Sequence, residues 1–182
     1  MALLRLYAGR VVLSRSGQAV ALSDDHKATN PSERKRLAAV EEEEKRINKS
    51  NNEGEGGSIV HEGRLFGVLA VSRSFGDSAL KKKLSKSTSK DVPVHNSKEA
   101  LTAEPEITHT RVTRQDEFII VASDGLWDCL SNQQAVNFVR RRLIIHKCAQ
   151  RVAGELVQEA IDQGSRDNTS AIICMLHQHD LK

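Results

Sequence analysis

The chain has 182 residues, 38% of them hydrophobic, which is compatible with one domain of ordinary size. Since only 3% of the residues are aromatic, the core is expected to be chiefly aliphatic. The net charge of +3 is too small and too dispersed to indicate nucleic-acid binding. No apolar run approaches the roughly 20 residues of a membrane-spanning helix. Neither nucleic acid nor a membrane is therefore an expected partner, and the oligomeric state is left open.

The N-terminal segment, residues 1–23, contains Arg5, Arg10 and Arg15 and no acidic residue before position 24. This bias is compatible with an organellar transit peptide. The alternative is that residues 3–20 form a β-hairpin that turns at Ser16-Gly17. The expected compartment is the cytoplasm or the nucleus, with an organelle as the weaker alternative.

Two polar segments resemble insertions. Residues 41–57 begin with a run of glutamates and end in an asparagine- and glycine-rich stretch, which predicts a helix end followed by a polar linker. Residues 80–101 form a basic segment that is rich in lysine, serine and threonine. Such a loop could attract phosphorylated, acidic protein segments, or it could be a solvated loop with no role.

An apolar run that ends on an acidic turn follows. Residues 118–122 are continuously apolar, which predicts a strand buried on both faces, and Ser123-Asp124-Gly125 ends that strand. A carboxylate at such a strand end could hold a hard cation or bond its own backbone, as aspartate often does before glycine.

A helical hairpin is predicted next. Ser131 and Gln134 form a capping box at its start, and Gly164 is a plausible stop at its end. The apolar positions of both helices have helical spacing and are interpreted as core. In the first helix they are Ala135, Val136, Val139 and Leu143, and in the second Ala149, Val152, Ala153, Leu156, Val157, Ala160 and Ile161.

A second acidic turn, Ser165-Arg-Asp-Asn-Thr-Ser170, leads into the apolar run 171–176. If the two apolar strands pair antiparallel, Asp124 at the end of one lies beside Asp167 at the start of the other. Converging carboxylates repel unless a cation or a shared proton intervenes. This arrangement leaves a bound cation and a shared proton as the two alternatives at this sheet edge.

Cysteines and histidines add little. Cys129, Cys148 and Cys174 form no Cys-x-x-Cys pair, which favours buried reduced thiols over disulfides or zinc. His26 is expected to be structural, and His177-x-His179 to be a solvated tail.

At this point five segments together resemble the metal-dependent protein serine/threonine phosphatases of type 2C. They occur in the family's order over nearly the whole chain: Val11-Val-Leu-Ser-Arg-Ser-Gly17 with Leu22-Ser-Asp-Asp-His-Lys27, Asn30-Pro-Ser-Glu-Arg-Lys-Arg36, Arg64-Leu-Phe-Gly-Val-Leu-Ala-Val-Ser-Arg-Ser-Phe-Gly-Asp77, Val121-Ala-Ser-Asp-Gly-Leu-Trp-Asp128 and Ser165-Arg-Asp-Asn-Thr-Ser170.

The resemblance implies an α+β fold, part of a four-layer α-β-β-α sandwich with two antiparallel sheets and helices on the outer faces. It implies hydrolysis of phosphoserine and phosphothreonine on protein substrates, with two Mg²⁺ or Mn²⁺ ions activating water. By this resemblance, Asp124 and Asp167 match two ligands of one ion. Asp128 and Asn168 are expected to orient these ligands, or the metal-bound water, without binding the ion themselves. Arg73 and Asp77 are expected to fix the turn before a flap at 80–101.

The family's N-terminal pattern is absent. No acidic strand and no Asp-Gly-His-Gly-Gly turn occurs, and Ala8 stands where the pattern has a further metal-binding aspartate. Residues 1–182 are thus expected to be the C-terminal portion of a phosphatase domain, with an incomplete two-metal site and low activity. Val121, Ile172 and Ile173 should then face partly open surface. The alternatives are a catalytically inactive phosphatase-like protein-binding module and an incomplete gene product.

Overall fold

The computed structural model describes residues 2–5, 9–50, 58–78, 80–81 and 99–177. The described chain forms two compact units, one built chiefly from residues 9–25 and 107–177 and one from residues between 26 and 106. The strands are β1 (Ala2–Arg5), β2 (Gly9–Arg15), β3 (Gln18–Ala21), β4 (Val60–His61), β5 (Arg64–Leu65), β6 (Glu106–His109), β7 (Asp116–Ser123) and β8 (Ala171–Met175). The helices are α1 (Pro31–Ser50), α2 (Asp124–Trp127), α3 (Asn132–His146) and α4 (Ala149–Asp162).

The first unit is organised by a four-stranded sheet in the order β3-β2-β7-β8, in which the pairs β2–β3, β2–β7 and β7–β8 are antiparallel. β2 and β3 form the predicted hairpin, and its turn residues Ser16 and Gly17 both have positive φ, as a tight hairpin turn requires. The hairpin begins at Gly9 and not at residue 3, because β1 pairs with β6 in a separate two-stranded sheet.

The predicted helical hairpin packs on one face of this sheet. At the start of α3 both hydrogen bonds of the Ser131–Gln134 capping box are present. α4 ends before Gly164, whose φ of 98° suits glycine, so that helix stop is also confirmed. The main core joins the two helices to the sheet through buried apolar residues that include Val12, Phe118, Ile120, Val136, Val139, Val152 and Leu156.

The second unit has a smaller aliphatic core. Leu37 and Val40 of α1 pack with Leu65 of β5 and with residues of the flanking loops, Ile59 and Leu101. α1 begins with Pro31, and the side-chain oxygen of Asn30 accepts a hydrogen bond from the Ser32 N–H at 3.1 Å. α1 continues to Ser50, and the rest of the predicted polar linker lies outside the described residues, as does most of the predicted flap at 80–101.

Residues 64–77, which the resemblance implies to be a strand and the turn beyond it, contain little regular strand. Regular pairing is limited to Arg64–Leu65, because Phe66 and Gly67 both adopt positive φ and reverse the chain. The Leu69 N–H consequently donates to the Leu65 carbonyl at 3.0 Å, and the Leu65 N–H donates to the Leu69 carbonyl at 2.7 Å. Beyond this turn, isolated bridges at Leu69, Val71 and Arg73 replace a continuous ladder.

Burial corrects three further expectations. Val121 is 38% exposed although its strand neighbours are buried, so β7 is not covered on both faces along its whole length, and Val121 itself faces the partly open surface that was expected. The cysteines are free, but Cys148 and Cys174 are exposed and Cys129 is half-buried, because Cys148 precedes α4 and Cys174 lies on the outer strand β8. Ile173 packs against the core on the helix side, whereas Ile172 is exposed as expected.

Antiparallel sheets and separate helices make this an α+β fold, as predicted. The layering of the expected sandwich stays a prediction. Within the described ranges, no helix is both long enough and apolar enough to cross a membrane.

Candidate metal site

The predicted pairing of the two acidic turns is present. β7 and β8 are antiparallel, with Ala122 opposite Ala171, so the end of one strand lies beside the start of the other. The Ser123 N–H donates to the Ser170 carbonyl at 3.1 Å, and the Ser123 hydroxyl donates to the Asn168 carbonyl at 3.0 Å. The Ser170 N–H in turn donates to Ser123 Oγ at 3.0 Å. These hydrogen bonds hold residues 123–125 against residues 165–170.

Gly125 makes the close approach of these two segments possible. A Cβ at this position would lie 2.7 Å from Thr169 Oγ1 and 2.8 Å from the Asn168 carbonyl oxygen, which is closer than real Cβ atoms come. The Ser165 hydroxyl donates to the Gly125 carbonyl at 2.7 Å from the other segment. A side chain here would push apart the segments that carry Asp124 and Asp167.

Asp124 is the first residue of the short helix α2 and is half-buried. Burial raises the pKa of its carboxyl above the ordinary value, and the negative charges of Asp167 and Asp128 raise it further against the opposing hydrogen bond from the Gly125 N–H. The charges of Asp167 and Asp128 therefore act on the carboxylate of Asp124. A cation there would relieve that repulsion.

Asp167 and Asn168 lie in the exposed loop before β8. The Asn168 N–H donates to Asp167 Oδ1 at 2.7 Å, which holds this carboxylate in one orientation. Asp128 follows α2 and is exposed. The pKa of the nearby Arg10 guanidinium is raised, chiefly by its hydrogen bond to Asp25 and to a smaller extent by the negative charge of Asp128.

Arg10 is a residue of this region that the sequence patterns did not single out. Its guanidinium donates to both carboxylate oxygens of Asp25, at 3.1 and 2.9 Å, and to Asn132 Oδ1 at 2.8 Å. The group lies 5.7 Å from the ring centroid of Trp127, whose indole N–H donates to the Arg10 carbonyl at 3.2 Å. Arg10 thus braces the turn that carries Asp124 and Asp128. A basic residue at the start of an apolar strand was the available signal.

The donor set of carboxylates and a side-chain amide suits a hard cation such as Mg²⁺ or Mn²⁺. Asp124 and Asp167 supply two carboxylates of this type, and their role as ligands stays a prediction. Across the described residues, however, no group of three or more histidine, cysteine, aspartate or glutamate side chains is arranged to hold a metal ion. The residues present fit part of a metal centre and do not complete one.

Other predicted residues lie elsewhere. In the second unit, Arg73 forms an ion pair with Glu33 at 2.6 Å, and Asp77 accepts a hydrogen bond from the Ser74 hydroxyl at 2.6 Å. His26 is buried with its Nε2 2.9 Å from Glu106. His177 Nε2 lies 3.0 Å from the Thr113 carbonyl, and His179 and Ala8 are outside the described residues.

Comparison with known proteins gives a family match over most of the chain. The profile of the family described as protein phosphatase 2C matches residues 9–169. Probable protein phosphatase 2C 27 of Oryza sativa subsp. japonica is 37% identical over 169 residues, covering 93% of this chain and 41% of that protein. Probable protein phosphatase 2C 22 of Arabidopsis thaliana is 36% identical over 167 residues, covering 92% of this chain and 37% of that protein.

A solved structure agrees in fold. The crystal structure of a phosphatase from a pathogenic strain of Toxoplasma gondii superposes with a TM-score of 0.73 at 24% identity, covering 98% of this chain and 48% of that one. The chain thus spans about two fifths of the length of the curated relatives it matches.

Proposed function

Because the chain belongs to the protein phosphatase 2C family, we propose that it carries part of the active site of a metal-dependent protein serine/threonine phosphatase. The reaction is hydrolysis of phosphoserine and phosphothreonine on protein substrates. The observation that carries this proposal is the pairing of β7 with β8, which brings Asp124 and Asp167 to one sheet edge.

In this proposal the chain's own residues hold and orient charge. Asp124 and Asp167 would bind Mg²⁺ or Mn²⁺ through their carboxylates. Asp128 and Asn168 would hold those two carboxylates in place without binding the ion. When bound, the ions supply positive charge that activates water and stabilises the phosphoryl group during attack on phosphorus. Arg10 offsets part of the negative charge of Asp128 and keeps the turn in place.

A second candidate is a catalytically inactive phosphatase-like module that binds proteins. The lack of a three-ligand group among the described residues favours it, because hard cations need several oxygen ligands. For either candidate we place the protein in the cytoplasm or the nucleus, which is supported by its free cysteines.

Manganese binding to the purified chain tests the site. Free Mn²⁺ is followed by electron paramagnetic resonance during titration of the chain and of Asp124→Asn and Asp167→Asn. We expect weak binding, and we expect each substitution to weaken it by about tenfold or more. Loss of a group that only hydrogen-bonds a metal ligand typically costs at least about tenfold in metal affinity, and loss of a direct ligand should cost no less. Asp162→Asn is the matched control, since this exposed residue only accepts a hydrogen bond from Gln158 on the same helix.

Hydrolysis of a phosphothreonine peptide in the presence of Mn²⁺ tests whether the inactive module can be excluded. With an incomplete ligand set, the chain alone should release phosphate at close to the background rate. A robust rate that Asp124→Asn abolishes would prove the low-activity expectation wrong and exclude the inactive module. Equal Mn²⁺ binding by the chain and both ligand variants would overturn the site.

A further inference from the structure

A groove of about 450 Å³ lies between α3 and α4, on the first unit. One stripe of α3 forms its long side, with Gln134, Phe138, Arg141 and Ile144 following one another at helical spacing. Glu159 of α4 and Gln163, which caps that helix, lie one turn apart and form the opposite side. The groove is therefore lined by both apolar and polar side chains of the two helices.

The α3 side of this groove is positively charged. α3 contains three arginines and no aspartate or glutamate. Arg140 is paired with Glu117 and Arg142 with Glu155, whereas in the described part of the chain Arg141 is exposed and has no ion pair. Among the described residues, Glu159 is the only acid that lines the groove, and its carboxylate accepts a hydrogen bond from Gln163. An exposed cation beside apolar side chains is complementary to a carboxylate on an apolar ligand.

Apolar side chains are exposed beside this cation. Ile144 is 47% exposed and Ile145 is 67% exposed, although both lie in the well-formed second half of α3. From Gln134 to Ile145 the helix rises about 16 Å, which is the length of about three helical turns. This surface can accommodate a short helix laid along it.

From this combination we propose that the groove docks an amphipathic helix of a protein partner, one whose apolar side chains are flanked by carboxylates. Apolar side chains of the partner lie on Phe138 and beside Ile144, and one carboxylate of the partner pairs with Arg141. Recognition of this kind uses helix-in-groove packing, in which apolar anchors give affinity and charge gives register.

Two residues that line the groove lie close in sequence to the candidate metal site. Leu130 follows α2 and donates its N–H to the Leu126 carbonyl. Gln163 caps α4 just before Ser165, whose hydroxyl donates to the Gly125 carbonyl.

Fluorescence polarisation with the full chain tests this proposal. The probe is a fluorescein-labelled peptide of about three helical turns, with leucines on one face and glutamates beside them. We expect saturable binding that Arg141→Glu weakens by about tenfold or more, as loss of a charge pair followed by repulsion predicts. Arg114→Glu, at an exposed arginine of the same unit outside the groove, is the matched control and should bind as the unmodified chain does.

A second variant and a second peptide complete the test. Ile145→Ser changes no charge and should also weaken binding, whereas a peptide in which glutamine replaces each leucine should bind far more weakly to every variant. The proposal is overturned if the unmodified chain shows no saturable binding, if Arg141→Glu and Arg114→Glu behave alike, or if the leucine-free peptide binds equally well. Circular dichroism of each variant confirms that α3 is retained.

Discussion

Glu33 is a buried carboxylate that is only 1% exposed, and charged side chains of this type are almost never buried unless paired. Arg73 binds Oε1 through two nitrogens, at 3.1 and 2.6 Å, while Arg36 and the Ser72 hydroxyl donate to Oε2 at 2.9 and 2.5 Å. Burial alone would raise the pKa of Glu33, but these hydrogen bonds outweigh it and lower the pKa to about 2.

This shift predicts a specific dependence of stability on pH. Because the pKa is depressed in the folded chain, the stabilisation is fully present above the ordinary value of 4.5 and is lost as pH falls towards about 2. Its size is on the order of 3 kcal/mol. Glu33→Gln should therefore destabilise the chain most at neutral pH, and the difference from the unmodified chain should shrink as pH falls.

Urea unfolding at a series of pH values measures this difference. Glu43→Gln is the control, because Glu43 lies on the same helix and is exposed. Stability curves for Glu33→Gln and the unmodified chain that run parallel from neutral pH to pH of about 2 would contradict the assignment, since removal of the group must remove its titration.

At the scale of elements, the important contact is the approach of the start of α2 to the loop before β8. This approach depends on Gly125, because a Cβ there would overlap backbone and side-chain atoms of Asn168 and Thr169. The orientation of Asp124 relative to Asp167 is thus set by a glycine that carries no chemistry itself.

Gly125→Ala should lower the free energy of unfolding by about 1–3 kcal/mol, because the overlapping segments must separate. Gly154→Ala is the matched control in α4, where a Cβ meets nothing within 4 Å. That change should raise stability by about 0.5–1 kcal/mol, since alanine is the better helix former. Urea midpoints measure both, and an unchanged midpoint for Gly125→Ala would show that the approach is looser than described here.

At the scale of the whole molecule, one edge of the main sheet is exposed. β8 is the terminal strand of that sheet, and its Ile172 is 64% exposed beside Val121 at 38% exposure. Unpaired backbone groups on an edge strand together with exposed apolar side chains favour association with another strand.

We therefore predict that the purified chain self-associates or binds a hydrophobic dye, and that Ile172→Lys reduces both. A lysine on an edge strand opposes strand addition by charge repulsion. Val68→Lys is the control, because Val68 is also exposed, at 58%, but lies in the turn after β5. Light scattering and dye fluorescence measure the effect; a monomer with a sharp, cooperative thermal transition would contradict it.

Local features of the fold could be predicted from the sequence because neighbouring residues decide them. The Ser131–Gln134 capping box, the stop at Gly164 and the turn at Ser16-Gly17 each depend on a few adjacent residues, and all three are present. The placement of Asp124 beside Asp167 followed from two strand patterns that pair antiparallel. Their role as metal ligands stays a prediction.

Features that depend on distant residues appeared only in the tertiary structure. The partners of Arg10 lie 15 and 122 residues away, and no local pattern identifies such contacts. The exposure of Cys174 depends on what covers a strand, which the apolar run itself does not record. Short-range hydrogen-bonding and turn preferences are thus determined by the sequence alone, whereas burial and long-range ion pairing are decided when separate segments pack together.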